Sequence, residues 1–148
     1  SIHFIDGLAI DQEPGFVDSV GVEQAWARYY ELLPQAARWV DVLGHPDLIK
    51  FIGPEIDWDW ADVTAGLESV CLEVSSAGLH KPHGKLYPNA DLLAAGRERG
   101  LPITLASDAH VPQNVGRDLD RAIDHARAAG YETVTVFDER APRQEPLG

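Results

Sequence analysis

Leu101-Pro102-Ile103-Thr104-Leu105-Ala106-Ser107-Asp108-Ala109-His110 is the stretch on which the fold turns. Its first part is short, mostly apolar and β-branched at Ile103 and Thr104, which predicts a buried strand over Leu101–Ala106. Ser107, Asp108 and His110 follow at once, so the strand ends in a polar loop. Upstream, Pro88 to Arg99 reads as a helix, with Pro88 in its first turn and Gly100 as its stop. Downstream, Val115 to Ala129 reads as a helix with Leu119, Ala122, Ile123 and Ala126 on one face, and Gly130 ends it.

The same alternation extends outward in both directions. Val70 to Val74 is a strand, preceded by a helix marked by Trp60, Val63, Leu67 and Val70. Val40 to Leu43 is another strand, ended by Gly44. Before it, Val22, Trp26, Tyr29, Leu33, Ala36 and Val40 recur at helical spacing, and Pro34 is expected to kink or divide that helix. Ile2 to Ile5 is the first strand, Gly7 to Gly21 a loop, Thr133 to Phe137 the last strand, and Ala141 to Gly148 an extended tail. The order β-α-β-α-β-α-β-α-β predicts an α/β domain with a parallel sheet covered by helices. Length fits a single domain over 1–148. An open doubly wound sheet and part of a barrel both satisfy this order.

Composition narrows the function. Hydrophobic residues make up 45% of the chain, enough for a core. The net charge is −12, and no basic stripe exists to displace counterions from a phosphate backbone, so nucleic acid is not an expected partner. No apolar run approaches the roughly 20 residues that cross a bilayer, so no membrane partner is expected either. The single cysteine, Cys71, leaves no internal disulfide framework, and a reducing, cytoplasmic setting is expected. There is no methionine, and Ser1-Ile2-His3-Phe4-Ile5 reads like the inside of a strand. A longer reading frame with further N-terminal strands and helices is expected upstream.

Active sites of such folds form at the C-terminal ends of the strands. His3 lies in or just after the first strand. The second is followed by Gly44-His45-Pro46-Asp47, the third by Ser75-Ser76-Ala77-Gly78-Leu79-His80-Lys81, the fourth by Ser107-Asp108-Ala109-His110. Imidazole and carboxylate are the ligands of Zn, Mn or Fe sites. Asp108 and His110 are two apart, which on a strand end points both the same way. Taken singly, His3 reads equally well as a core histidine, His45 as a turn histidine and Asp108 as a helix cap. His125 reads as a solvated helix residue, Cys71 as core, Trp58 and Trp60 as packing.

The ordered set Gly44-His45-Pro46-Asp47-Leu48-Ile49-Lys50, Leu72 to Pro82, Tyr87-Pro88 and Ile103 to His110 resembles the PHP (polymerase and histidinol phosphatase) superfamily, in its histidinol-phosphatase branch. Ser1-Ile2-His3-Phe4, Gly130-Tyr131 and Phe137-Asp138-Glu139-Arg140 extend the resemblance over nearly the whole chain. It implies the C-terminal part of a distorted (β/α)7 TIM-like barrel with parallel strands. It also implies two or three divalent metal ions (Zn, Mn or Fe), with His3, His45, Asp108 and His110 among the ligands. The implied reaction is hydrolysis of the phosphomonoester L-histidinol phosphate to histidinol and phosphate, in histidine biosynthesis. Asp108 or Asp47 would take or relay a proton. Relatives often carry an arginine where this chain has His80, so Lys81 and Lys50, beside His80, become the phosphate contacts. That departure keeps open a phosphoesterase for another small phosphate ester or a nucleotide. A non-catalytic or polymerase-associated module is a further alternative, disfavoured by the acidic charge.

Overall fold

A computed structural model describes residues 1–11, 21–53 and 55–148. Most of the expected Gly7–Gly21 loop lies outside the described residues. The centre of the molecule is a three-stranded parallel sheet in the order β3-β4-β5 (Val42–Leu43, Cys71–Ser75, Ile103–Ala106). Leu72 pairs with Leu43 on one side and with Ile103 on the other. These strands are apolar because both faces are covered: Leu43, Leu72, Val74 and Ile103 are all at most 1% exposed. Helix α1 (Val22–Ala37) packs on β3, and α4 (Leu119–Ala128) packs on β4 and β5. Helices α2 (Trp60–Ala65) and α3 (Ala90–Glu98) pack on each other in the two crossovers.

The outer strands depart from the all-parallel expectation. β1 (Phe4–Ile5) pairs antiparallel with β2 (Leu8–Ala9). Asp6 and Gly7 join them with φ of 52° and 84°, the left-handed pair that a tight hairpin demands. β6 (Thr133–Asp138) lies beside β5 but pairs antiparallel with β7 (Ala141–Pro146), inside what reads in sequence as an extended tail. The described residues therefore form a mixed α/β structure whose parallel sheet does not close on itself.

Helix boundaries shift for identifiable reasons. α1 runs unbroken through Pro34. Pro34 lies in the last turn, with only three helical residues after it, and its ring packs on Gly66, where a Cβ would come within 2.7 Å of it. α3 starts after Pro88, because the Asn89 side chain accepts from the Leu92 N–H at 2.8 Å and caps the helix. α4 begins only at Leu119, since Gly116 and Asp118 adopt φ of 78° and 53° and hold Val115–Asp118 in turns. Trp58 and Trp60 pack against Tyr30, with ring centroids 5.4 and 5.5 Å away.

Candidate functional site

His45 follows β3 after Gly44, and Asp108 follows β5 after Ser107. His45 has φ 29° and Asp108 φ 47°, strained values for residues with a Cβ. Both turn sharply off their strands. Glu73 belongs to β4, between the two. The backbone N–H of His45 donates to Glu73 Oε1 at 3.3 Å, which ties the β3 loop to the middle strand.

The environment keeps His45 neutral. Its residue exposure is 7%. Burial lowers its pKa to about 4, with Asp108 pulling in the opposite direction. Its Nδ1 is buried and has no hydrogen-bond partner. Glu73 is pushed upward by burial, and the Asp108 charge adds to that shift, so the two carboxylates share one field. The His3 ring stands edge-on to His45 at 5.3 Å, and its Nδ1 is 3.4 Å from Asp11 Oδ2. His110 projects outward, its side chain 82% exposed, with Nε2 3.8 Å from Asp108 Oδ1.

These donors suit a borderline divalent cation. The unpartnered, buried His45 nitrogen is the observation that fits a metal best, because a buried polar atom normally has a partner. Among the described residues, however, no three His, Cys, Asp or Glu side chains stand close enough together to hold an ion. The chemistry of the set fits, and its convergence within this chain is incomplete.

Tyr87 extends the site inward. Its ring lies 5.7 Å from His45 and 5.1 Å from His83, so His3, His45, Tyr87 and His83 form a continuous row of rings. Lys50 Nζ sits 4.5 Å from the Tyr87 ring centre. The two side chains read in sequence as a proton carrier and a phosphate contact, Asp47 and Lys50, are 0% and 1% exposed. Lys50 Nζ donates to Asp47 Oδ2 at 3.0 Å and to the Leu86 carbonyl, and Asp47 Oδ2 also accepts from Asn89 N–H at 2.7 Å. Burial raises the Asp47 pKa, and Lys50 draws it back. Both residues thus belong to the interior, where they pin the His45 loop to the start of α3.

His80, Lys81, Asp108 and His110 line a common cavity of about 130 Å³, together with Ser107 and Arg117. His80 Nε2 lies 2.7 Å from Asp118 Oδ2. His125, read as solvated, instead holds the Pro88 carbonyl at 2.9 Å. The neighbours that sequence reasoning missed are Asp11, Glu73, His83, Tyr87 and Arg117. Glu73 left a signal: it is the one charged residue in an otherwise apolar strand.

No family model matches the chain. It is 36% identical to a protein of Deinococcus radiodurans named "Probable histidinol-phosphatase", covering 91% of this chain and 55% of that protein. It is 24% identical to a protein of the same name from Schizosaccharomyces pombe, covering 94% of this chain and 52% of that one. The chain spans about half the length of the curated relatives it matches. Among the described residues no helix is long and apolar enough to cross a membrane. Over these spans the chain is similar in sequence to two proteins named as probable histidinol-phosphatases.

Proposed function

We propose that this chain is part of a metal-dependent phosphomonoesterase acting on L-histidinol phosphate, with the β3-β4-β5 sheet as a portion of a barrel. The observation that carries the reading is the buried, unpartnered His45 nitrogen just beyond β3, in a loop tied to Glu73 of β4 and within the field of Asp108 just beyond β5. His3, His45, Asp108 and His110 would hold the ions, completed by ligands from a longer polypeptide. Bound there, such an ion would supply charge neutralisation at the phosphoryl oxygens and lower the pKa of water towards neutrality.

The chain's own residues supply the rest. His45 stays neutral down to about pH 4, so its ring nitrogen remains a donor under ordinary conditions. Asp108, with its side chain 33% exposed, reaches the mouth and accepts the proton of the attacking water. Lys81 faces the phosphate as a point charge. Asp47 and Lys50 hold the loop that presents His45. The pairing of His80 with Asp118 favours a second reading, another small phosphate ester, because a histidine so committed is a poor substitute for an arginine fork.

The test is phosphate release from L-histidinol phosphate by the longer polypeptide containing this chain, with Mn or Zn. His45→Ala and Asp108→Ala are expected to lose activity at least 100-fold, with metal content reduced. Full activity in either variant overturns the site. Release from other esters but none from histidinol phosphate selects the second reading.

A further inference from the structure

We propose that Arg117 is the guanidinium that grips the phosphoryl group of the substrate, a role that rests on the phosphomonoesterase reading above. Arg117 lines the same small cavity as Asp108, His110 and Lys81. At about 130 Å³ this space is far below the roughly 300–1,000 Å³ of a cavity that encloses a whole drug-sized ligand. It suits a head group, with the remainder of the substrate outside.

The backbone of Arg117 is fixed in place at the C-terminal ends of two neighbouring strands, β4 and β5. Its carbonyl accepts from Ser76 Oγ at 2.5 Å, and Ser76, the residue after β4, is 1% exposed. The preceding Gly116 N–H donates to Ser107 Oγ at 3.1 Å, at the end of β5. Gly116 has φ 78°, so the chain reverses there and brings residue 117 back over the strand ends.

The side chain is oriented as well. Arg117 Nε lies 3.6 Å from Asp118 Oδ2, the same oxygen that is 2.7 Å from His80 Nε2. Asp118 therefore organises both groups from behind. His80 is occupied by that contact, and Lys81 offers a point charge. Arg117 alone in this cavity presents a planar fork matched to two phosphate oxygens. It does so beside Asp108, where the reaction is placed. In a chain of net charge −12, such a local cation is what lets a phosphate dianion approach.

The experiment measures inorganic phosphate binding by titration calorimetry and phosphomonoester kinetics, in the longer polypeptide loaded with Mn. Arg117→Ala is expected to weaken phosphate binding at least tenfold and to raise KM similarly, with kcat changed less than threefold and metal content unchanged. Arg117→Lys is expected to recover only part of the affinity, because it keeps charge and loses the fork. Phosphate affinity within twofold of the unsubstituted protein in Arg117→Ala, with turnover intact, overturns this role and leaves the hydrolase reading standing. An unsubstituted protein that neither binds phosphate nor hydrolyses any phosphomonoester overturns both. Should Arg117→Ala not fold, Arg117→Gln and Arg117→Lys carry the same comparison.

Discussion

Replacing Lys50 by methionine separates a structural from a substrate-binding role for this residue. At the observed Nζ–Oδ2 distance of 3.0 Å, and with an effective dielectric of about 20, the attraction is about 5–6 kcal/mol before desolvation is subtracted. Methionine keeps the packing length but leaves the Asp47 carboxyl buried with Asn89 N–H as its remaining donor. That carboxyl must then carry its charge alone or take up a proton. Breaking a buried pair from one side costs about 3–5 kcal/mol. With a urea slope near 2 kcal/mol per molar, the midpoint should fall by roughly 1.5–2.5 M. The double variant Asp47→Asn/Lys50→Met removes both charges and should be markedly less unstable than the sum of the singles, by more than about 1 kcal/mol. Urea unfolding followed by fluorescence checks all four proteins. A loss below about 1 kcal/mol in Lys50→Met, accompanied by a tenfold rise in KM for the phosphate ester, would refute the buried-pair argument and return the ammonium to the substrate.

Two further outcomes are expected. A Cβ at Gly78 would lie 2.0 Å from the Lys85 carbonyl oxygen and 2.9 Å from Tyr87 Cε2; Gly78→Ala should therefore cost about 3 kcal/mol, the upper end of overpacking penalties, and a urea midpoint equal to that of the unsubstituted chain contradicts the packing described here. The second concerns acid. Burial, with Lys50 adding to it, lowers the His83 pKa to about 4, and its Nδ1 accepts from Lys85 N–H at 3.1 Å. A folded-state pKa below the unfolded value near 6.5 means stability fully present above pH 6.5 and lost as pH falls towards 4. His45 acts in the same sense, while the raised Asp47 and Glu73 oppose it. The informative comparison is thus His83→Gln, whose unfolding free energy should fall less steeply between pH 6.5 and 5; equal slopes would exclude the His83 contribution.

The parallel strands were legible because β4 and β5 are short, apolar runs bounded by glycine or polar residues, and double-sided burial writes that pattern directly. The hairpins were not. β1 and β2 have two residues each, too few for any periodicity, and the Asp6-Gly7 dipeptide was the only clue to their turn. β7 contains Pro142 and Pro146, which argue against a strand unless it lies at an edge. At the site, His45 and Asp108 could be found because they end strands. Glu73 drew no site reading from the sequence, although the register that puts Leu43 beside Leu72 also sets the next loop against Glu73. The burial of Lys50 depends on Leu86 and Tyr87, more than thirty residues away, and no local pattern encodes it.

The hairpin formed by β6 and β7 also bears on how the molecule behaves in a crowded solution. A bare sheet margin is a template onto which another chain can add a strand. Pro142 and Pro146 have no N–H to offer a newcomer, and Arg143 and Glu145 between them form an ion pair at 2.8 Å on a strand that is largely exposed. Such a margin resists polymeric growth from that side.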